Sequence, residues 1–371
     1  GGKTIAIYLG TTLVALIIGL TLVNLLTPGA IVPESVRMRL QETYQTDVAQ
    51  REELAAEAMD RGPLQPLVDM VPDNIAGAAS DNRRMLNMVF VAFLFGVALM
   101  LVPKAQSAPM LALFESLNAV IIKIVELVIL FAPIGVFALI ADTVTGVAGD
   151  SPADVPQLLG ALGLYCIAVL VGLAIQVFVT YPLLLRLFTP LRLERFFPGM
   201  VQAQLVAFST SSSAATLPVT MKSAHHNLGV SEEVASFVLP LGATINMDGT
   251  ALYQAVAAVF IAQTLGIPLD LTAQLTIVFM ALLASIGTAA VPSAGVVMLV
   301  VILEAVGVPA AGIALILGVD RLLDMARTAA NVTGDVTVAA IVAASEGQLA
   351  PAVATTGAAE AGAIPSPTLD S

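Results

Sequence analysis

The sequence is poor in the residues that soluble enzymes and metal centres depend on. Of its 371 residues, 11% are charged, two are histidines and one is a cysteine. The single Cys166 excludes a disulfide framework and a Cys-based metal site, and we predict that it lies in the core. His225 and His226 share one polar turn, which leaves no histidine cluster for a metal or a nucleophile. The composition therefore argues against an enzyme.

Apolar residues are in excess instead. They make up 58% of the chain and raise its mean hydropathy to +0.93, more than a soluble domain shows. A membrane-spanning helix needs about 20 apolar residues. Runs of about that length are Ile5–Leu26, Met85–Val102, Val120–Ile140, Leu158–Leu185, Val234–Leu265, Leu271–Leu303 and Ile313–Ala344. We predict an all-α polytopic protein, multi-pass in the plasma membrane or bacterial inner membrane.

The negative charge is concentrated in one segment. The net charge is -12, and Thr27–Asn82 carries ten acidic residues against four basic ones. Within it, Ser35–Arg61 is polar and helix-prone, so we expect an insertion outside the bilayer. An acidic surface disfavours nucleic acid and anionic lipid as partners. The chain opens directly on a predicted span, from which we expect a truncated N-terminus.

The second half contains small and polar residues inside its apolar runs. They form three segments, Ser209–Thr216, Gly242–Thr250 and Ser285–Gly295. Irregular backbone at membrane depth persists only where it is buried in protein or lines a cavity. Small-residue turns precede both Asn246–Thr250 and Asn331–Asp335, an order typical of an inverted repeat with its site at the repeat interface. Chance similarity between small-residue segments is the alternative.

One helical face between residues 320 and 335 holds nearly every charge. At about 100° per residue, Asp320, Asp324, Arg327, Asn331 and Asp335 fall within a stripe roughly 80° wide. An amphipathic helix at a water interface is the simplest alternative, but apolar sequence flanks the stripe on both sides. Each charge at mid-bilayer costs roughly 2.5–3.5 kcal/mol, so we interpret the stripe as a ligand site.

The side chains of this stripe and its neighbours match an acidic amino acid. Arg327 offers a planar fork for a carboxylate, and Asp324 can hold an ammonium group. Thr328 and Asn331 can donate hydrogen bonds to a second carboxylate.

The segment Gly242–Thr250 predicts a cation site. It places Asn246, Asp248 and glycines where helix propensity alone would not choose them, so we expect the helix to unwind. Free backbone carbonyls and these two side chains are hard oxygen ligands, which favour an alkali cation over zinc or copper. A calcium site would need more carboxylates.

Four motifs carry a family resemblance. They are Ser211–Pro218 (SSSAATLP), Gly242–Gln254 (GATINMDGTALYQ), Ser285–Gly295 (SIGTAAVPSAG) and Asp324–Asp335 (DMARTAANVTGD). Through them the sequence resembles the glutamate transporter homologue family, the dicarboxylate/amino acid:cation symporters, over essentially its whole length. The resemblance implies a homotrimeric carrier in the lipid bilayer, not an enzyme, which moves L-aspartate or L-glutamate with sodium by an elevator motion.

The resemblance also implies an architecture. The family fold has eight membrane helices and two re-entrant helical hairpins with inverted repeats, and this chain would begin at the third helix. Residues 1–27 would be that helix, in the transport domain; 28–187 the loop insertion, scaffold-side helices four and five, and helix six; 188–346 the transport core; and 347–371 a tail. Later helices would span Ala112–Val144, Val155–Leu187, Ser231–Leu265 and Ala310–Ser345, with hairpins at Glu194–Gly229 and Leu271–Val306.

The family pattern assigns site residues at matching positions. Substrate contacts would come from Ser211, Ser213, Thr250, Val291, Gly295, Asp324, Arg327, Thr328 and Asn331. Two to three Na⁺ ions are implied as coupling ions. One site would use Gly242, Asn246, Asn331 and Asp335; a second would use Thr244, Ser285, Ile286 and Thr288; a third would use Tyr8, Thr11, Thr12, Asn246 and Asp248.

Departures from the pattern leave some properties open. Relatives usually carry an arginine at one of two positions, which are Ser211 and Met325 here, while Arg321 lies a turn earlier; this leaves potassium countertransport open. Gln254 stands where proton-coupled members carry a glutamate, so we predict no proton carried there. Arg327 and Asn246–Thr250 argue against the neutral amino acid carriers of the family and against its proton-coupled glutamate and C4-dicarboxylate branch. An anion channel and an inactive fragment remain alternatives, and aspartate is not distinguished from glutamate.

Overall fold

The computed structural model describes residues 1–35, 37–38, 71–72, 74–79, 85–131, 134–135, 137–138, 141, 155–288 and 290–350. Within these residues the chain is α-helical, and the one extended pairing is a single antiparallel bridge between Val230 and Leu349. The prediction of an all-α protein is confirmed.

The helices are numbered here in chain order. They are α1 (Gly2–Leu26), α2 (Ile75–Ala79), α3 (Met85–Leu101), α4 (Lys104–Ile129), α5 (Val155–Ile175), α6 (Tyr181–Phe188), α7 (Leu193–Thr210), α8 (Ser213–Lys222), α9 (Glu232–Ile245), α10 (Asp248–Leu265), α11 (Leu271–Gly287), α12 (Ala294–Ala305) and α13 (Ala314–Ser345). Single π-turns follow α5 at Gln176–Thr180 and α8 at Ser223–Asn227.

Four helical stretches of the described residues are long and apolar enough to cross a membrane. They are Gly2–Ile31, Val155–Phe188, Glu232–Leu265 and Ala310–Ser345. The last two are the most enclosed, with 94% and 83% of their most apolar windows buried in the protein. They therefore form the centre of the molecule, where polar residues can be satisfied by protein instead of water.

The third of these stretches is interrupted between α9 and α10. Asn246 and Met247 leave the helical conformation, with φ/ψ of -100°/84° and -114°/58°. The helix resumes at Asp248, whose carboxylate is favoured at a helix N-terminus. The unwinding predicted from the sequence is confirmed at these two residues.

Two helix–turn–helix units flank α9 and α10. In the first, α7 ends at Ser211, which has a left-handed φ of 52°, and Ser212 caps α8 by accepting a 3.1 Å hydrogen bond from the amide of Ala215. In the second, the turn between α11 and α12 includes Ser293 at φ 61°. Left-handed backbone at a residue other than glycine costs about 1–3 kcal/mol and often marks a functional turn.

Packing centres on α10 and α13. Helix α10 is surrounded by α1, α5, α11, α12 and α13, and α13 also packs against α6, α7 and α9. Two apolar clusters result, one around α10 and one between α7, α9 and the C-terminal half of α13. The polar stripe of α13 lies where these two clusters meet.

One predicted helix needs correction. The helix expected at Ala112–Val144 begins earlier, as α4 at Lys104 directly after Pro103, and Pro109 lies inside it. Cys166 is partly buried and packs against the apolar cluster around α10. Most of the acidic insertion, the end of the predicted 112–144 helix and residues 351–371 lie outside the described residues.

Candidate functional site

The polar stripe predicted on α13 is embedded in protein. Its five members are each 6% exposed or less: Asp320, Asp324, Arg327, Asn331 and Asp335. A helix at a water interface would expose such a face, so that alternative is wrong. Buried charges on one face require partners, and the structure provides them.

Arg327 is held by two carboxylates and one aromatic ring. Its Nη2 donates to Oδ1 of Asp324 at 2.6 Å, and its Nη1 donates to Oδ1 of Asp320 at 3.1 Å. Its guanidinium carbon lies 3.8 Å from the centroid of the Tyr253 ring on α10. The arginine is 1% exposed, so these interactions act with little screening by water.

The turn between α11 and α12 contacts this charged group. The amide of Ser293 donates to Oδ2 of Asp324 at 2.8 Å, and Nε2 of Gln254 donates to the carbonyl of Gly295 at 3.0 Å. A Cβ atom at Gly295 would lie 2.9 Å from Cγ2 of Thr250 and 3.6 Å from Nη1 of Arg327. Glycine at this position therefore lets the turn pack closely against Thr250, with its backbone next to the guanidinium.

The two turns also contact each other. Oγ of Ser212, in the first turn, donates to the carbonyl of Ala290, in the second, at 2.7 Å. Beside it, Ser211 is 2% exposed, and its Oγ has no hydrogen-bond partner among the described residues. A buried hydroxyl without a partner is costly, so Ser211 offers an unused donor and acceptor where the turns meet.

Asn331 joins α13 to the start of α10. Its Oδ1 accepts from the amide of Gly249 at 2.8 Å, and its Nδ2 donates to Oγ1 of Thr250 at 3.1 Å. A Cβ atom at Gly249 would lie 2.9 Å from the carbonyl oxygen of Arg327, so α10 and α13 are in close contact here. The structure thus brings together Thr250, Arg327 and Asn331, as the sequence predicts.

A first group of oxygen atoms lies between α9, α13 and α1. Nδ2 of Asn246 donates to Oδ1 of Asp335 at 2.9 Å, and the hydroxyl of Tyr8 donates to the carbonyl of Val238 at 2.9 Å. A Cβ atom at Gly242 would lie 2.5 Å from that hydroxyl and 2.6 Å from Oδ1 of Asp335. Only glycine allows the carboxylate and the phenol to approach the α9 backbone this closely.

A second group surrounds Asp248 and has more acceptors than protons. Oγ1 of Thr12 lies 2.6 Å from Oδ1 of Asp248 and 2.9 Å from the carbonyl of Tyr8. Oγ1 of Thr11 lies 3.2 Å from the same Oδ1, 3.0 Å from the same carbonyl and 3.3 Å from Oδ1 of Asn246. These five oxygens share two hydroxyl protons, and such a surplus of hard lone pairs fits an alkali cation.

The third predicted cation set is not joined by hydrogen bonds in the part of the chain that the structure describes. Thr244 is exposed and donates to a carbonyl of its own helix at 2.9 Å. Ser285 and Thr288 each donate within their own turn of α11, and Ile286 is 39% exposed. Short polar side chains near a helix end commonly satisfy the local backbone in this way.

The remaining predicted substrate residues are Thr328, Ser213 and Val291. Thr328 is buried, and its hydroxyl donates to the carbonyl of Asp324 on its own helix at 2.9 Å. Ser213 is buried at the first residue of α8, and Val291 is partly buried in the second turn.

Sequence reasoning missed three residues that reach the site from the π-turn after α5, from α6 and from α10. Gln176 and Tyr181 both contact Asp248, and Tyr253 covers Arg327. One sequence feature could have indicated such a contact: Gln176 is the single amide side chain in the apolar run Leu158–Leu185.

The site carries an excess of negative charge. Among the described residues, the buried charged side chains are Asp248, Asp320, Asp324, Arg327 and Asp335. Four carboxylates against one guanidinium leave a formal excess of three negative charges. No group of three or more His, Cys, Asp or Glu residues converges as it would around a transition metal in the described part of the chain. The uncompensated negative charge of this buried site favours the binding of cations.

The sequence profile of the Sodium:dicarboxylate symporter family matches residues 1–345. Excitatory amino acid transporter 2 of Mus musculus is 42% identical over 262 residues, which cover 71% of this chain and 45% of the mouse protein. Excitatory amino acid transporter of Caenorhabditis elegans is 35% identical over 371 aligned residues, 92% of this chain and 73% of the worm protein.

A bacterial protein shows a similar degree of likeness. Proton/sodium-glutamate symport protein of Bacillus subtilis (strain 168) is 34% identical over 356 residues, 96% of this chain and 79% of the bacterial protein. The chain spans about half the length of the mouse protein and about three quarters of the other two.

Proposed function

The chain belongs to the Sodium:dicarboxylate symporter family, and on that premise we propose that it is a sodium-coupled symporter of an acidic amino acid, L-aspartate or L-glutamate. Members of this family are transporters rather than enzymes, and the candidate spans are those of a multi-pass protein of the cell membrane.

The observation that carries the proposal is the Arg327–Asp324 pair. It places a carboxylate-binding group and an ammonium-binding group 2.6 Å apart in a buried site. An acidic amino acid carries both complementary charges, so its side-chain carboxylate pairs with Arg327 and its ammonium group with Asp324. Thr250, Thr328 and Asn331 on the helices, and Ser211, Ser213, Val291 and Gly295 at the turns, surround the remaining carboxylate and the carbon atoms.

Charge balance supports coupling to sodium. An acidic amino acid has a net charge of about -1 at neutral pH, and it enters a site with a formal excess of three negative charges. Burying a further uncompensated anion is strongly unfavourable. Two or three monovalent cations offset two or three of these four negative charges, and the oxygen groups around Asp335 and Asp248 are the best candidates for two of the cations. Thr244, Ser285, Ile286 and Thr288 form the third candidate set.

The transport cycle we propose is alternating access by an elevator motion. The α7–α8 and α11–α12 units act as re-entrant hairpins related by inverted repeats, and they move with α1, α9, α10 and α13 against a trimeric scaffold. Residues 1–27 and the core 188–346 belong to the moving part. The Ser293–Asp324 and Gln254–Gly295 hydrogen bonds couple the second hairpin to the ligand-binding helices. Closure of the second hairpin then depends on whether the site between these helices holds its ligand.

Calorimetry on the purified chain tests this function directly. L-aspartate and L-glutamate are titrated in sodium chloride and, at equal ionic strength, in potassium or choline chloride. The proposal expects tight binding in sodium alone, and equal factors by which sodium and substrate raise each other's affinity. Binding of equal strength in all three salts contradicts sodium coupling. Absence of binding for both acids, with binding of a neutral amino acid, contradicts the assigned substrate.

A further inference from the structure

The π-turn between α5 and α6 places two polar residues on one side of the helix. The amide of Tyr181 bonds to the carbonyl of Gln176, five residues earlier, which is the π-helical pattern. In a regular α-helix, residues five apart point about 140° away from each other. The wider turn removes most of this divergence, so Gln176 and Tyr181 face the same neighbour.

That neighbour is Asp248. Nε2 of Gln176 donates to Oδ2 of Asp248 at 3.2 Å, and the hydroxyl of Tyr181 donates to the same oxygen at 2.9 Å. Nε2 of Gln176 also lies 3.3 Å from the carbonyl of Thr11, which connects α1 to the same arrangement. Both side chains are fully buried.

The hydrogen bonds from Gln176 and Tyr181 fix the orientation of the Asp248 carboxylate. Because they occupy Oδ2, the other oxygen, Oδ1, is directed toward Thr11 and Thr12, on the side with surplus acceptors. A Cβ atom at Gly334 would lie 2.6 Å from the Tyr181 hydroxyl, so the α13 backbone packs directly against this hydroxyl. The carboxylate of Asp248 therefore has one oxygen fixed by the protein and one presented to the oxygen group.

Gln176 also has an acceptor that the fold does not use. Its Oε1 is buried and has no hydrogen-bond partner among the described residues. A side chain present only to satisfy the helix packing would be expected to pair both ends of its amide. The Nε2 end of this amide is held by the Thr11 carbonyl and the Asp248 carboxylate, which leaves the amide oxygen as a buried hard acceptor of the kind that an alkali cation uses.

We infer that Gln176, placed by the π-turn together with Tyr181, is a positioning residue for a sodium site at Asp248. The inference rests on the proposed sodium coupling and extends it to the π-turn after α5 and to the first residue of α6. Partners that orient a metal ligand typically account for about 10- to 100-fold in metal affinity, and we expect an effect of that size for Gln176.

The test measures sodium affinity separately from fold stability. The melting temperature of the full chain in detergent is recorded over a range of sodium chloride concentrations without amino acid, with choline chloride keeping the ionic strength constant. A ligand that binds the native state stabilises it by RT ln(1 + [L]/Kd), so the melting temperature rises with sodium without reaching a plateau. A fit to this rise gives the sodium concentration that half-fills the native site, called here the sodium midpoint. The variants are Gln176→Met, which keeps length and volume, and Tyr181→Phe.

Tyr165→Phe is the matched control. Tyr165 lies on α5, about three turns before Gln176, is fully buried and stacks on Phe260 at 4.7 Å, and its hydroxyl makes no hydrogen bond to Asp248, Thr11 or Thr12. Removing this hydroxyl should leave the sodium midpoint unchanged. We expect Gln176→Met to raise that midpoint about 10- to 100-fold and Tyr181→Phe to raise it as well.

The outcomes separate this inference from the proposed function. If the wild-type chain shows no sodium-specific stabilisation, sodium coupling fails and the inference fails with it. If the wild-type chain responds to sodium and Gln176→Met lowers the melting temperature with an unchanged midpoint, Gln176 is purely structural and the inference alone is overturned.

Discussion

Nη2 of Arg327 lies 2.6 Å from Oδ1 of Asp324, three residues earlier on α13. The pair keeps an anion-binding group and a cation-binding group in register while both are buried. Asp320 and Tyr253 hold the guanidinium from other directions, so its position does not depend on Asp324 alone. A ligand that offers both an ammonium and a carboxylate can therefore engage both members without leaving either charge unpaired.

Arg327→Cys should change substrate class. Removing the guanidinium eliminates charge-assisted hydrogen bonds worth about 1.5–3 kcal/mol, so aspartate affinity should fall on the order of 100-fold. Alanine or serine, which lack the second carboxylate, should bind in its place. Sodium-dependent calorimetry with aspartate and serine measures both effects.

Arg321→Cys is the control for that experiment. Arg321 is on the same helix, outside the polar stripe and partly buried. The Arg321→Cys variant should bind aspartate with an affinity within a factor of a few of the wild-type value. Unchanged aspartate affinity in Arg327→Cys would contradict the role we assign to the arginine.

The sequence predicted the parts of the site that lie along one helix or at one break. The stripe on α13 follows from helical periodicity, and the break at Asn246 follows from poor helix propensity. Periodicity does not say which residue of another helix meets a given face. In the sequence, Tyr253 is one of two aromatic residues in an apolar helix, with no sign that it covers Arg327. Tyr181 faces the same neighbour as Gln176 because the π-turn between them changes the helical phase. Such contacts depend on packing between distant segments, which one sequence pattern does not encode.

Tyr253 should contribute to aspartate binding through its ring. A cation–π contact is worth about 0.5–2 kcal/mol depending on desolvation, and Arg327 is almost fully buried. Tyr253→Phe keeps the ring, so aspartate affinity should stay within about threefold. Tyr253→Leu should lower it by about 10-fold or more, because the guanidinium loses that support. Equal affinities for the Phe and Leu variants, measured in sodium, would exclude the ring interaction.

Gly242→Ala should damage the oxygen group of Asn246 and Asp335. The added methyl would lie 2.5 Å from the Tyr8 hydroxyl and 2.6 Å from Oδ1 of Asp335, so one or both must move. We expect about 1–3 kcal/mol of destabilisation and a weaker sodium response of the melting temperature.

Gly160→Ala provides the comparison, because a Cβ atom there meets nothing within 4 Å. It lies on α5 and should be neutral or slightly stabilising, since alanine favours a helix. A sodium response in Gly242→Ala equal to that of Gly160→Ala would place the cation elsewhere.

Gln254→Glu should make substrate binding depend on pH. The amide of Gln254 donates to the carbonyl of Gly295 at 3.0 Å and cannot titrate, so wild-type binding should involve no proton at this position. A glutamic acid can donate the same bond only while protonated, and its ionised form would repel the carbonyl oxygen. Aspartate affinity of the variant should therefore be near wild type at low pH and fall as pH rises, with a proton taken up on binding. Calorimetry in buffers of different ionisation enthalpy measures that uptake.

Gln263→Glu is the control. Gln263 lies on the same helix but bonds to the carbonyl of Val23, so the substitution introduces the same charge away from the turn, and its aspartate binding should show no proton uptake. A proton taken up by the wild-type chain, and unaffected by either substitution, would show that the coupling proton binds at another group.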